Sequence, residues 1–173
     1  MTMERPVRKH PRLKSYDYGQ NGCYFVTICT QGRKHLLGRI DVCRAGCPQP
    51  AAQALPQMRL THIGALVTHY IERIPQAYPG VDLAHYVVMP NHIHLLLTIQ
   101  EMEDGGVRAP RPTLPTVVRS LKTMVTRQLG YSIFQASFYD HVVRSEPEFA
   151  EIWKYIEENP IKWAEDRYYT DAL

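Results

Sequence analysis

Two histidines in the segment Met89-Pro90-Asn91-His92-Ile93-His94 have the spacing of a metal-ligand pair. Alternation along a β-strand would send His92 and His94 to one face of a sheet, while Ile93 points to the other. Neutral imidazole nitrogens bind Zn, Mn, Fe, Ni or Cu. The same spacing also arises by chance on the face of a sheet, so the pair indicates a metal site without establishing one.

A tyrosine and an asparagine nearer the end of the chain have a related spacing. Tyr155 and Asn159 are four positions apart in a predicted helix, so their side chains project from one face, one turn apart. A phenol and an amide oxygen there could approach the histidines together. The alternative is that Tyr155 is a core aromatic beside Trp153 and Ile156, and that Asn159 only ends the helix before Pro160.

Four strands and three helices are predicted to position these residues. Runs rich in β-branched and aromatic residues predict strands at 23–30, 81–89, 92–99 and 138–143. Apolar residues at helical spacing predict helices from Leu60 to Pro75, over about 114–129, and from Pro147 to Pro160. The first six elements predict the α+β class, with a ferredoxin-like βαββαβ antiparallel sheet that has its helices on one face. The seventh element is the helix that carries Tyr155.

Chain length and composition predict the domain organisation. The chain has 173 residues, 45% of them hydrophobic. This length is enough for one sizeable core, but it is short for two domains of ordinary size. We therefore expect a single domain over 1–173, with a basic arm at 1–15. Residues 31–58 are rich in glycine and proline and predict an irregular connection that could include a short hairpin.

Positive charge is concentrated in two places, although the net charge of +3 is by itself a weak argument for a polyanionic partner. A basic arm of this kind suits contacts with phosphate groups, and the alternative for the arm is a solvated tail. The first set lies in the arm and the second lies off the apolar stripe of the helix at 114–129: Arg5, Arg8, Lys9, Arg12 and Lys14, then Arg119, Lys122 and Arg127.

Cysteine usage and hydropathy suggest where the protein is found. The cysteines at 23, 29, 43 and 47 lack the paired spacing of a zinc site, so reduced thiols are expected. No apolar run approaches the roughly 20 residues that cross a bilayer, and no charged segment followed by an apolar one opens the chain. We expect a cytoplasmic protein.

Four strings along the chain resemble the single-tyrosine HUH transposases, and most closely the REP-associated tyrosine transposases. They occur in the family's order and span most of the chain: RKHPRLKSYDYGQNGCYFVTICT, VVMPNHIHLLL, SFYDHVVRSEPEF and YIEENPIKWAED. The resemblance implies that His92 and His94 are metal ligands, that Tyr155 is the nucleophile on a catalytic helix over 146–159, and that Asn159 is a third metal ligand. It implies Mg²⁺ or Mn²⁺ as the ion.

The same resemblance implies a reaction and a substrate. Attack by the tyrosine would leave a 5′-phosphotyrosine and a free 3′-OH, so that strands are cut and rejoined by transesterification. The substrate would be single-stranded DNA, at hairpin-forming repeats, threaded over an exposed sheet face. Both sets of cations, in the arm and on the helix at 114–129, would then hold the DNA backbone. The acting species would be a monomer or a homodimer.

Two other functions remain open at this stage. A replication-initiator or relaxase-type nickase would share the chemistry, although so short a chain has little room for a helicase or primase domain. A catalytically silent protein that binds DNA hairpins would retain the fold alone. Tyr24, Tyr139, Tyr168 and Tyr169 are competing tyrosines, and Asp140 and His141 are expected to have a structural part.

Overall fold

A four-stranded antiparallel sheet forms the centre of the computed structural model, which describes residues 21–41, 56–100 and 112–170. The larger elements are β1 (Gly22–Cys29), β2 (Gly38–Asp41), β3 (Gln57–Leu60), α1 (His62–Glu72), α2 (Ile74–Ala77), β4 (Val81–Val88), β5 (His92–Ile99), α3 (Leu114–Leu129), β6 (Tyr139–Val143) and α4 (Glu146–Glu158). Short 3₁₀ turns cover Gln31–Arg33 and Trp163–Glu165. No helix within the described residues is long and apolar enough to span a bilayer.

The order of strands confirms the predicted fold class. The sheet runs β4-β5-β1-β6, and each neighbouring pair is antiparallel. With α1 between β1 and β4, and α3 between β5 and β6, this is the predicted βαββαβ arrangement. The predicted strand bounds differ from the observed ones by at most one residue, and the bounds of α3 are as predicted.

The two faces of the sheet support two separate apolar cores. Val26 of β1 and Ile93 of β5 pack in the larger core with Val67 of α1 and Val118 of α3. Residues of the opposite register, such as Phe25, pack in a smaller core against α4. Because side chains alternate along β5, His92 and His94 lie on the α4 side, as the spacing predicts.

The connection predicted as irregular over 31–58 contains strand pairing at its described ends. Strands β2 and β3 form a separate antiparallel pair, in which Gly38 is opposite Leu60 and Asp41 is opposite Gln57. Strands of four residues carry too little alternation to be recognised in the sequence. Residues 42–55, with Cys43 and Cys47, lie outside the described residues, while Cys23 and Cys29 are free thiols.

The first predicted helix differs from the observed one at both ends. Leu60 ends β3, and Thr61 caps α1 by accepting a hydrogen bond from Gly64 N at 3.1 Å. The prediction that Pro75 stops the helix is correct for α1, but Pro75 also lies in the first turn of α2. A proline is tolerated there because the first helical N–H groups have no intrahelical partner.

A chain of close contacts connects α1 to the turn that precedes His92. Leu37 N donates to Pro90 O at 3.0 Å, and Leu37 O accepts from Thr61 N at 3.0 Å. Gly64 packs directly against this segment, because a Cβ at position 64 would lie 1.9 Å from Leu37 O. The absence of a side chain at Gly64 therefore allows α1 to support the turn.

Replacing Gly64 with alanine tests this contact. Helix propensity alone favours alanine over glycine by about 1 kcal/mol, whereas overpacking against a backbone carbonyl costs typically 1–3 kcal/mol. We expect Gly64→Ala to lower the free energy of unfolding by up to about 2 kcal/mol in urea denaturation. The exposed neighbour Ala65, changed to serine, should stay within about 0.5 kcal/mol of wild type. A stabilised Gly64→Ala protein would contradict the close approach.

Candidate metal and tyrosine site

The two histidines of β5 form the centre of the site. His92 and His94 are both buried, and their cross-strand partners on β1 are Cys29 and Thr27. The imidazoles face each other, with the two Nε2 atoms 3.0 Å apart. Two nitrogens bound to one ion at about 2.1 Å, at a right angle, would be separated by about 3 Å.

Hydrogen bonds at the Nδ1 atoms hold both imidazoles in place and determine the tautomer of His92. Asn91 Nδ2 donates to Tyr168 O at 2.8 Å, so Asn91 Oδ1 faces His92 Nδ1, also at 2.8 Å, and accepts its proton. Thr27 Oγ1 is hydrogen-bonded to His94 Nδ1 at 2.8 Å. The Nε2 atom of His92 therefore presents a lone pair to His94 Nε2, and either a proton of His94 or a cation can lie between the two atoms.

Burial keeps both imidazoles neutral at neutral pH. Loss of solvation lowers the pKa of His92 to about 4, with nearby Asp166 acting in the opposite direction. Loss of solvation, followed by the neighbouring His92, lowers the pKa of His94 well below its usual value. Neutral imidazole is the form that ligates metal ions.

Asp166 is a third potential metal ligand beside the two histidines, and the sequence analysis did not select it. The carboxylate follows the 3₁₀ turn Trp163–Glu165, and the potential ligand atoms of His92, His94 and Asp166 lie within 4.8 Å of one another. It is the one such group of His, Cys, Asp or Glu found in 21–41, 56–100 and 112–170. No local pattern marks an aspartate in an irregular segment as the neighbour of a strand more than 70 residues earlier.

Asn159, the predicted third ligand, lies against Asp166. Its side chain is 3% exposed, and its Nδ2 donates to Asp166 Oδ2 at 2.8 Å. Its Oδ1 is buried and has no hydrogen-bond partner among the described residues. A buried acceptor without a donor is costly, and a cation beside it would remove that cost.

The chemistry of these donors suits a divalent cation. Two neutral imidazole nitrogens, a carboxylate and an amide oxygen are the ligand types found around Mn²⁺, Fe²⁺ and Zn²⁺, and oxygen ligands also suit Mg²⁺. The lone pair of His92 Nε2 and the unpaired amide oxygen of Asn159 both favour positive charge at this point. The residues therefore fit a metal ion, and their types do not select one ion.

Tyr155 places a phenol at the edge of the metal-ligand group. Its hydroxyl lies 3.4 Å from His94 Nε2 and donates to Asp166 Oδ2 at 3.1 Å. Its ring packs edge-on against Phe25, yet the residue is 39% exposed. Tyr155 and Asn159 both contact Asp166, in agreement with their predicted position on one face of the helix. Burial, followed by the charge of Asp166, raises the pKa of the phenol above its usual value.

Comparison with known proteins identifies two relatives that cover most of the chain. No protein-family model matches it. An uncharacterized protein of Haemophilus influenzae is 31% identical over 95% of this chain and 94% of its own length. A second protein of that organism, named "Putative REP-associated tyrosine transposase", is 29% identical over 84% of this chain and 74% of its own length. The chain is therefore similar over most of its length to a protein named as a REP-associated tyrosine transposase, which supports a transposase-type function.

A solved structure shows the same fold at greater sequence distance. A REP-associated tyrosine transposase bound to a REP hairpin matches 92% of this chain and 74% of its own, with a TM-score of 0.57 and 21% identity. This similarity supports the arrangement of sheet and helices. The roles of individual residues in this chain depend on the geometry of its own site.

The basic residues predicted to contact DNA differ in their surroundings. Arg119 and Arg127 are exposed on α3 and line a groove of about 390 Å³. Lys122 also lines this groove, but its Nζ donates to the carbonyls of Gln135, Ala136 and Ser137 at 2.8, 3.2 and 3.0 Å. An ammonium group has three N–H donors, so Lys122 joins α3 to the segment before β6. Arg5, Arg8, Lys9, Arg12 and Lys14 lie outside the described residues.

The competing tyrosines are separated by their environments. Tyr24 is buried in the larger core, and Tyr169 is exposed and packs against Trp163. Tyr139 lines a cavity of about 540 Å³ next to Tyr155. Tyr168 lies within the site, with its ring centroid 4.7 Å from that of His92. Its burial and its hydrogen bond from Thr27 are those of a residue that positions the histidines.

His141 has the structural environment predicted for it. His141 Nε2 lies 2.6 Å from Glu148 Oε1, and the other oxygen of Glu148 accepts from Arg144 N at 2.8 Å. Ser145 caps α4 by accepting from Glu148 N. These contacts join the end of β6 to the first turn of the helix that carries Tyr155. Asp140, next to His141, is buried.

Substitution of Lys122 distinguishes a structural role from a phosphate contact. Lys122→Met should lower the free energy of unfolding by about 1 kcal/mol, because the partly exposed carbonyls of residues 135–137 lose a charged donor, and should leave the salt dependence of oligonucleotide binding unchanged. Arg127→Met is the matched variant on the same helix and should show the opposite result. Its stability should equal that of wild type, and its slope of log affinity against log salt should be smaller by about 0.7. A reduced slope for Lys122→Met at wild-type stability would restore its predicted DNA contact. Melting curves and fluorescence anisotropy provide the two measurements.

Proposed function

We propose that this protein is a metal-dependent transposase that cleaves and rejoins single-stranded DNA by transesterification through Tyr155. The observation that carries the proposal is the hydroxyl of Tyr155, which lies 3.4 Å from His94 Nε2 and within hydrogen-bonding distance of Asp166. A nucleophile and a set of metal ligands are thus adjacent on one face of the sheet. The nickase and silent-binding alternatives do not have a separate observation in their favour.

His92, His94 and Asp166 would hold the ion, with Asn159 Oδ1 as a further oxygen ligand. This extends the ligand set predicted from the sequence by one carboxylate. A bound Mg²⁺ or Mn²⁺ would neutralise the charge of the scissile phosphate and offset the negative charge of Asp166 that raises the pKa of Tyr155. Asn91 holds His92 in the tautomer that ligation through Nε2 requires, and Thr27 would accept the Nδ1 proton of His94 once its Nε2 bound the ion.

The bond changes follow from the position of the phenol. Tyr155 Oη attacks the phosphorus, the bond from phosphorus to the 3′ oxygen breaks, and a 5′-phosphotyrosine and a free 3′-OH remain. The phenolic proton passes to Asp166 Oδ2, to which the hydroxyl already donates, and the departing 3′ oxygen takes a proton from solvent. A second 3′-OH reverses the sequence and joins strands with no other energy source.

The relative of known structure supports hairpin-forming DNA as the substrate, because that transposase is bound to a REP hairpin. A single strand next to the hairpin stem would enter beside Tyr155. The cavity of about 540 Å³ next to Tyr155 is lined by Phe25, Thr27, His94 and Tyr168 among others. Its volume lies in the usual range for ligand sites. Arg119, Arg127 and the arm at 1–15 would bind the backbone farther from the reaction.

Removing one oxygen atom tests the assignment of Tyr155. Tyr155→Phe should abolish covalent capture of a cleaved oligonucleotide, a loss of at least about a thousandfold, and should leave hairpin binding close to wild type because the ring is retained. Adducts are measured on denaturing gels with a labelled hairpin oligonucleotide and Mn²⁺. Tyr70→Phe, on α1 and distant from the site, is the control and should remain active. Wild type that binds hairpins without forming an adduct would support the silent-binding alternative.

A Mn²⁺ titration tests Asp166 and Asn159 as ligands. Asp166→Asn should weaken Mn²⁺ binding by about ten- to a hundredfold, as measured by the EPR signal of free Mn²⁺ and by the rise in melting temperature. Asn159→Ala should weaken it less, and Asn159→Gln should partly restore it because the amide oxygen is kept. His69→Gln, on the exposed side of α1, controls for nonspecific binding. Unaltered Mn²⁺ affinity with a lowered melting temperature in Asn159→Ala would leave Asn159 as a helix cap only.

A further inference from the structure

Two arginines from separate segments converge on the ring of Tyr168, next to the metal-ligand group. The guanidinium carbon of Arg33 lies 5.3 Å from the ring centroid, and that of Arg167 lies 5.0 Å from it. Arg167 also lines the 540 Å³ cavity that contains His94 and Tyr155. Neither arginine was among the basic residues selected from the sequence.

The positive charge of these two arginines is not balanced by an ion pair. Other arginines of the chain, Arg39 and Arg59, form ion pairs with Asp41. In contrast, within the described residues neither Arg33 nor Arg167 has a carboxylate at salt-bridge distance. Both guanidinium groups therefore keep most of their hydrogen-bonding capacity for a ligand.

The backbone at Arg33 is in a conformation that arginine rarely adopts. Arg33 has a φ of +54° and follows Gly32, whose φ is +62°. The left-handed region is disfavoured for a residue with a Cβ, and such strain is often found at functional sites. Arg33 N donates to Thr30 O at 3.1 Å, which holds this turn against the end of β1. The fold thus directs the side chain of Arg33 towards Tyr168 at a conformational cost.

Electrostatics explain why the two cations need an anion beside them. The ring centroids of His92 and His94 lie 4.7 and 6.0 Å from that of Tyr168, so the two guanidinium groups beside Tyr168 are close to the metal-ligand group. Their positive charges oppose binding of a metal cation there. An anion placed between the arginines and the metal-ligand group would remove this conflict.

We propose that Arg33 and Arg167 bind the phosphates of single-stranded DNA on both sides of Tyr168, and so hold the scissile phosphate at His94 and Tyr155. The proposal rests on the proposed function for its choice of substrate. A guanidinium group binds phosphate oxygens through two parallel hydrogen bonds, which orients the backbone as well as attracting it. The cavity that Arg167 lines would accept the adjoining nucleotide.

Binding of a short oligothymidylate, without added metal and in the presence of EDTA, tests the proposal independently of cleavage. Oligothymidylate forms no hairpin and lets the phosphate contribution dominate. In a Tyr155→Phe background, Arg33→Gln and Arg167→Gln should each weaken binding severalfold at low salt and reduce the slope of log affinity against log salt by about 0.7. The double variant should reduce it by about 1.4. Arg167→Lys should keep the slope and lose part of the affinity, because lysine has the charge without the planar fork.

The controls separate this proposal from folding defects and from the proposed function. Arg73→Gln, exposed at the end of α1, should leave affinity and slope unchanged, and melting curves should show all variants folded. An unchanged slope in both Arg33→Gln and Arg167→Gln would overturn the proposal while leaving Tyr155 chemistry intact. Reduced slopes with no adduct in the Tyr155 protein would instead uphold phosphate binding and contradict the proposed function.

Discussion

The hydrogen bonds of Asn91 are the interaction on which the site depends. The buried Asn91 side chain donates to Tyr168 O and to Thr170 Oγ1, and it accepts from His92 Nδ1. Its backbone oxygen accepts from Thr30 N at 2.9 Å. One residue in a turn therefore joins the end of β1, the first metal-ligand candidate and the segment that follows α4. Without it, the imidazole of His92 would have no defined tautomer, and Tyr168 would lose its backbone anchor.

The polar groups of the site have opposite electrostatic preferences. His92 presents a lone pair at Nε2, Asn159 presents a buried oxygen without a donor among the described residues, and Asp166 presents a carboxylate. These groups favour a cation, whereas Arg33 and Arg167 favour an anion close by. A divalent ion and a phosphodiester together would satisfy both sets of groups.

The supporting structure is divided between the two faces of the sheet. Helices α1 and α3 cover the larger core and fix the turn before His92 from behind, through Leu37 and Gly64. Helix α4 covers the other face, where it brings Tyr155 to His94. Since His141 and Ser145 both contact Glu148, the start of α4 is fixed to β6. The position of Tyr155 on α4 therefore depends on the sheet. The phenol remains partly exposed, as the proposed attack on a polymeric substrate requires.

The sequence by itself determined the four strands of the main sheet, the three longer helices and the local relations between residues. Alternation along β5 put His92 and His94 on one face, helical spacing put Tyr155 beside Asn159, and apolar periodicity predicted α3 at its observed bounds. Only the tertiary structure decided what stands next to these groups. Four residues reach the site from segments outside the main helices and strands: Asp166, Arg33, Arg167 and Tyr168. Lys122 has the sequence pattern of a surface cation, but its ammonium group donates hydrogen bonds to three backbone carbonyls. The reason is physical: periodicity reports the geometry of a few neighbouring residues, whereas Asn91 and Tyr168 meet across 77 positions of chain, where only the packing of the whole fold determines contact.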